Sequence, residues 1–90
     1  MSGYSRTIVI TNRRGLHARA SAKFVNLASE LPTRVEVEKD GNRVCGTSIM
    51  GLMMLGAAMG DTITIHCVGD HCADSVDRLA ALVEGRFGED

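Results

Sequence analysis

Three groups of residues in this sequence have types and spacings that could carry chemistry. The first is His17, which follows a turn at Gly15, is preceded by Arg13 and Arg14, and is followed two residues on by Arg19. A histidine where a helix begins lies beside backbone N–H groups with no internal partner, at the positive end of the macrodipole. Such places bind anions, phosphate included. Guanidinium groups donate two coplanar hydrogen bonds to phosphoryl oxygens. An imidazole nucleophile with these neighbours suits phosphoryl transfer, which depends mainly on positioning and charge stabilisation. Taken alone, a histidine after a turn is more often a cap or a surface residue, and surface arginines are common.

The second group surrounds Ser48. It opens the run Ile49-Met50-Gly51-Leu52-Met53-Met54-Leu55, which is too apolar for one short helix to bury on every side. Leu52 and Leu55 are expected to face the core. The exposed remainder, with its flexible methionines, suits a surface that docks partners. Thr47 or Ser48 is expected to cap the helix. A phosphate on Ser48 is compatible with a helix start and adds roughly two negative charges at the edge of the apolar patch.

The third group, His66-Cys67 and His71-Cys72, invites a zinc reading, since imidazole and thiolate suit that ion. Against it, Cys67 shares a strand face with Ile63 and Ile65 while His66 points the other way, and the spacing matches no standard zinc pattern. No metal and no cofactor are expected. No nucleophile–base–acid triad, paired carboxylate or phosphate-binding glycine loop is visible, so an autonomous enzyme is not expected either.

The elements that must position these residues follow from periodicity. Residues 4–11 are β-branched and alternating, a strand with Ile8 and Ile10 inward, and Arg13-Arg14-Gly15 breaks it. From His17 to Leu31, the apolar stripe Ala20, Phe24, Leu27, Ala28, Leu31 predicts an amphipathic helix, stopped before Pro32. Residues 34–39 read as a half-buried strand with Val35 and Val37 inward and Glu36, Glu38 and Lys39 solvated. Asp40-Gly41 signals a tight hairpin, and residues 43–46 return as the next strand, with Cys45 opposite in face to Val44. Residues 48–55 form a short helix ended by Gly56. A strand over 62–68 places Ile63, Ile65 and Cys67 inward. Asp70 is expected to cap a last helix with the stripe Val76, Leu79, Ala80, Val83, Phe87, and Glu84, Glu89 and Asp90 are expected to be solvent-exposed or frayed. Four one-faced strands and three amphipathic helices predict an α+β, two-layer open-faced sandwich with a mainly antiparallel sheet and helices on one side.

Ninety residues bound this to a single domain, 1–90, with one modest core. Ten Lys+Arg against 11 Asp+Glu, a formal net charge of −1, disfavour a nucleic-acid binder or an anionic-membrane ligand. No apolar run is long enough to span a bilayer, and the opening residues lack a signal peptide's apolar core, so a cytoplasmic location is the default expectation. Three cysteines, an odd count without a framework spacing, predict reduced thiols. The lack of a large apolar face beyond the methionine patch favours a monomer.

The word Gly15-Leu16-His17-Ala18-Arg19-Ala20-Ser21-Ala22 resembles the active-site signature of HPr, the phosphocarrier of the bacterial phosphotransferase system. A second word, Ser48 to Gly56, resembles the HPr segment around a regulatory serine, and the spacing and element order match over essentially the whole chain. The resemblance implies sheet order 1-4-2-3 with three helices on one face. It implies that His17 accepts a phosphoryl group on Nδ1 from Enzyme I, with phosphoenolpyruvate as ultimate donor, and passes it to an EIIA-type protein. It assigns Arg19 to steadying the phosphoryl group, Ser48 to HPr kinase/phosphorylase in bacteria that have it, and Ile49, Met50 and Met53 to the docking face. On this reading the chain is an intermediate in phosphoryl transfer rather than an autonomous enzyme. Sugar-uptake and nitrogen-related carriers share these motifs. Many members carry proline where this chain has Ala20, which implies a somewhat looser helix entry here. A different class of function, a regulatory binding module working through Ser48, Ile49, Met50 and Met53, would have no need of His17 and Arg19.

Overall fold

The computed structural model describes residues 3–89. Four strands, β1 (Gly3–Val9), β2 (Val35–Lys39), β3 (Asn42–Cys45) and β4 (Thr62–Val68), form one sheet in the order β1-β4-β2-β3. Every pairing is antiparallel. Three helices, α1 (Ala18–Glu30), α2 (Ile49–Met54) and α3 (Cys72–Glu84), follow β1, β3 and β4 in turn. The α+β open-faced sandwich and the 1-4-2-3 order are as the sequence and its resemblance implied.

Alternation sets the register. Ile8 pairs with Ile63 and Val37 with Ile65, so the β-branched residues of three strands share the helix-covered face. The helix stripes meet them there: Phe24, Leu52, Val76, Leu79 and Val83 are fully buried. Complete burial of Phe24 alone is worth about 2–3 kcal/mol. On the open face, Thr7 and Thr64 hydrogen-bond at 3.0 Å and Arg43 pairs with Glu36 at 2.9 Å. His66 meets Glu38 there at 2.6 Å, on the side of the sheet opposite Cys67. The Asp40-Gly41 hairpin has positive φ at both residues (52° and 84°), the turn whose twist matches the strands.

Several local expectations are corrected. Lys39 is not on the solvated face: its side chain is 17% exposed and its ammonium lies 2.9 Å from Asp40 and 3.8 Å from Asp61. Asp70 does not cap α3; His71 takes that position in the left-handed region (φ 66°) and gives no side-chain cap bond. Phe87 is buried as expected, but in a closing 3₁₀ turn (Arg86–Gly88) beyond the helix. The three cysteines are not all free thiols: Cys67 and Cys72 are disulfide-bonded, and Cys45 alone is free and exposed. The turn at 69–71 brings the end of β4 back onto the first residue of α3, with the two Cα atoms 5.5 Å apart, which spacing arithmetic on three cysteines does not reveal.

Candidate functional site

The segment between β1 and α1 places His17. Gly15 takes φ 64°, and Leu16 N–H donates to the Ala57 carbonyl at 2.9 Å, so the loop is stitched to the loop after α2. Leu16 then plugs the core. His17 follows as the N-cap of α1, in extended conformation, and its carbonyl accepts the first helical bond, from Ser21 N–H at 2.8 Å. Ser21 is itself buried, with its hydroxyl donating to the Leu16 carbonyl at 3.1 Å. The helix start is well held even with alanine at position 20, and the His17 side chain gives no cap bond, so its ring is free for other contacts.

Those contacts define the site. Arg13, Arg14, His17, Arg19 and Glu89 line one shallow surface depression. The three guanidinium groups make no ion pair among the described residues. The His17 ring meets a carboxylate: its Nε2 is 2.6 Å from Glu89 Oε2, with both side chains largely covered (15% and 17% exposed). Glu89 is held in turn by Asn12, a fully buried side chain whose Nδ2 donates to Glu89 Oε1 at 3.1 Å and to the Gly15 carbonyl at 2.8 Å. Lys23 clamps the approach of this segment by donating to the Phe87 carbonyl at 2.6 Å.

Glu89 is thus a correction to the sequence reading, which left it frayed in solvent; Asp90 lies outside the described residues. Glu84 does stay half exposed, on the Arg6 guanidinium. The surroundings of His17 are not only cationic. An Asn before a tight turn is a signal for a side chain that bonds nearby backbone. Nothing local to Glu89 announces a partner 72 positions away.

Burial alone would raise the Glu89 carboxyl, but the hydrogen bonds from Asn12 and His17, with the charges of His17 and Lys23, outweigh it and hold the group below its ordinary value. Glu89 therefore stays ionised and can only accept. In the neutral form of the ring the hydrogen between the two then belongs to Nε2, which leaves Nδ1 as the ring nitrogen with a free lone pair. A carboxylate whose pKa is lowered by folding stabilises the fold above its unfolded value, and that contribution is lost as the pH falls through the folded one. The stability difference between wild type and Glu89→Gln is expected to be present at pH 7 and to shrink as the pH falls below the ordinary glutamate value, about 4.3. Urea unfolding at pH 7 and at successively lower pH checks it; a gap that does not narrow in acid counts against the ionised contact.

Ser48 lies away from this cluster, at the start of α2. Its hydroxyl accepts from Gly51 N–H at 3.0 Å, as an N-cap does. Leu52 and Leu55 face the core, while Ile49, Met50, Met53 and Met54 are exposed, Met50 at 73% and Met54 at 81%. Met59 adds to this surface from the following loop. Among the described residues no His/Cys/Asp/Glu cluster could hold a metal ion, and no helix is long and apolar enough to cross a membrane.

Residues 4–85 match the family model described as the PTS HPr component phosphorylation site. The chain is 44% identical over 84 residues to the phosphocarrier protein HPr of Cupriavidus necator, covering 93% of this chain and 94% of that protein. It is 36% identical over 89 residues to the phosphocarrier protein NPr of Shewanella violacea, covering 99% and 98%. Among solved structures, HPr-C-His from Thermoanaerobacter tengcongensis superposes with a TM-score of 0.91 at 40% identity, covering 97% of this chain and 98% of that one. With the sheet order and helix placement already described, these matches span nearly every described residue, and the chain belongs to the HPr family of phosphotransferase-system phosphocarriers.

Proposed function

We propose that His17 is the phosphoryl acceptor, taking the group from phosphorylated Enzyme I and delivering it to an EIIA-type domain, in the cytoplasm and as a monomer. One observation carries the residue assignment: the ring's Nε2 is engaged by Glu89 at 2.6 Å in a depression lined by three arginines. In the forward step the Nδ1 lone pair attacks phosphorus, the bond from phosphorus to the donor breaks, and the donor atom keeps the bonding pair. Nε2 keeps its hydrogen throughout, and Glu89 offsets positive charge that develops on the ring. Arg19, on the first turn of α1, and the free N–H groups there receive the phosphoryl oxygens. Onward transfer reverses these roles. The chain supplies position and charge, and no cofactor.

Ile49, Met50 and Met53 form the docking face in this reading, since they are exposed apolar side chains on the helix next to α1. Ser48 at the edge of that face is a regulatory phosphorylation site for an HPr kinase/phosphorylase. Its hydroxyl already serves as the helix cap, so added charge there burdens docking more than folding.

The test is incubation with Enzyme I, magnesium and phosphoenolpyruvate, read by intact mass. One phosphoryl group, lost on mild acid treatment, supports the reading; no gain with an active Enzyme I overturns it. In the same assay Ser48→Asp is expected to slow transfer at least tenfold, about 1.4 kcal/mol, with an unchanged thermal midpoint. Equal rates would remove Ser48 from the docking face.

A further inference from the structure

Helix α3 begins unlike the other two. Helix α2 starts on a serine that accepts from the helix backbone, and α1 on an extended residue backed by the buried Ser21. At α3 the N-cap is His71, a side-chain-bearing residue at φ 66° that gives no cap bond. The residue before it, Asp70, is exposed and supplies none either. One turn in, the Ser75 hydroxyl is buried without a partner. A strained, uncapped start of this kind frays unless something else holds it. That something is covalent: Cys72, the first helical residue, is bonded to Cys67 at the end of β4.

We propose that Cys67–Cys72 is a reversible redox site, reduced by a dithiol of the thioredoxin class, and that its oxidised form clamps the first turn of α3 to β4. In the reducing cytoplasm proposed above, the disulfides that do form are as a rule transient, exchanging ones. Both sulfurs are largely buried, but Cys72 lines a surface depression with Tyr4, His71 and Asp74. The incoming thiolate attacks the Cys72 sulfur. The S–S bond breaks, and the Cys67 sulfur leaves with the bonding pair and takes a proton. The second thiol of the reductant then attacks its own sulfur in the mixed disulfide and releases Cys72 as a thiolate, which the free N–H groups of the helix start stabilise. The protein gains two electrons and, with Cys72 left as a thiolate, one proton; the reductant becomes a disulfide and its other proton goes to solvent. Oxidation by a small-molecule disulfide such as oxidised glutathione is the reverse.

The site lies at the opposite end of α3 from the segment that carries Glu89 to His17, about 20 Å away for 13 helical residues. Redox state therefore sets the fold's resistance to unfolding and leaves phosphoryl acceptance in place, so this inference stands or falls apart from the assignment of His17. Opening so short a loop is expected to lower the thermal midpoint by about 10 °C. It is also expected to speed amide exchange at Ser75 and Val76, the first amides of α3 with helical partners, while exchange in α1 is unchanged.

The test uses the full chain, alkylated under native-unfolded quench before and after treatment with thioredoxin and its reducing system. One label, on Cys45, before treatment and three after, with the midpoint shift and local exchange, support the proposal. Three labels before treatment, one label after it, or three after it without change in midpoint or exchange would each overturn it. Cys72→Ala separates bond from reagent: it should melt with the reduced form and no longer respond to reductant. A Cys72→Ala protein that still responds, or melts with the oxidised form, sinks the clamp.

Discussion

His17→Ala is expected to accept no phosphoryl group from Enzyme I and phosphoenolpyruvate under conditions that fully label the wild type, a loss of at least a thousandfold in rate. The magnitude follows from the role. A covalent acceptor cannot be replaced by its surroundings, because the other groups lining the depression are three guanidinium groups and a carboxylate that bonds the ring. Arg19 acts differently. It is exposed and unpaired among the described residues, so it contributes charge-assisted hydrogen bonds worth about 1.5–3 kcal/mol. Arg19→Ala should therefore slow transfer roughly tenfold to a hundredfold without abolishing it. Arg19→Lys should recover the charge but not the planar, two-pronged geometry. Intact mass over time separates all three. Full labelling of His17→Ala would move the acceptor elsewhere, and an acid-stable product would point to Ser48.

The two motifs that carry the resemblance are local in sequence, and that is why they were legible. His17 and Arg19 belong to one turn and one helix start, and Ser48 with its methionines to one short helix, so periodicity and capping rules place them directly. The sheet faces were legible for the same reason: Val35, Val37, Ile63 and Ile65 alternate with polar residues, and alternation fixes which side is buried. Strand order was not readable from pattern, since every strand has the same kind of face; it came from the resemblance. The misreadings share a cause. Glu89 and Asn12 meet only after the chain has passed through the whole sheet, and Cys67 and Cys72 meet only because the turn at His71 adopts a conformation that histidine does not advertise. Such contacts are tertiary, and a single sequence records them only as unremarkable residues.

Gly15→Ala is expected to cost well over what the same change costs at the hairpin glycine Gly41, and to damage transfer through geometry rather than chemistry. At Gly15 φ is 64°, and a Cβ would lie 2.2 Å from the Ala57 carbonyl oxygen and 2.8 Å from the Ala58 Cα. Both neighbours are backbone and cannot rotate away. Gly41 is the internal control: its φ is 84°, yet nothing lies within 4 Å of its Cβ position. Gly41→Ala should therefore cost only the left-handed backbone penalty, about 1–2 kcal/mol. Gly15→Ala adds to that the parting of two loops, for a total of about 3–5 kcal/mol. The parted loops are the one that presents His17 and the one that follows the methionine helix, joined by the bond from Leu16 to Ala57. A displacement of the reacting group of about 1 Å costs on the order of a hundredfold in rate. The folded fraction of Gly15→Ala should accordingly transfer phosphoryl groups much more slowly than that of Gly41→Ala. Urea unfolding of the two variants, with transfer rates corrected for folded protein, decides it. Equal costs would mean that the loops yield freely, and that the close approach at Gly15 does not set the position of His17.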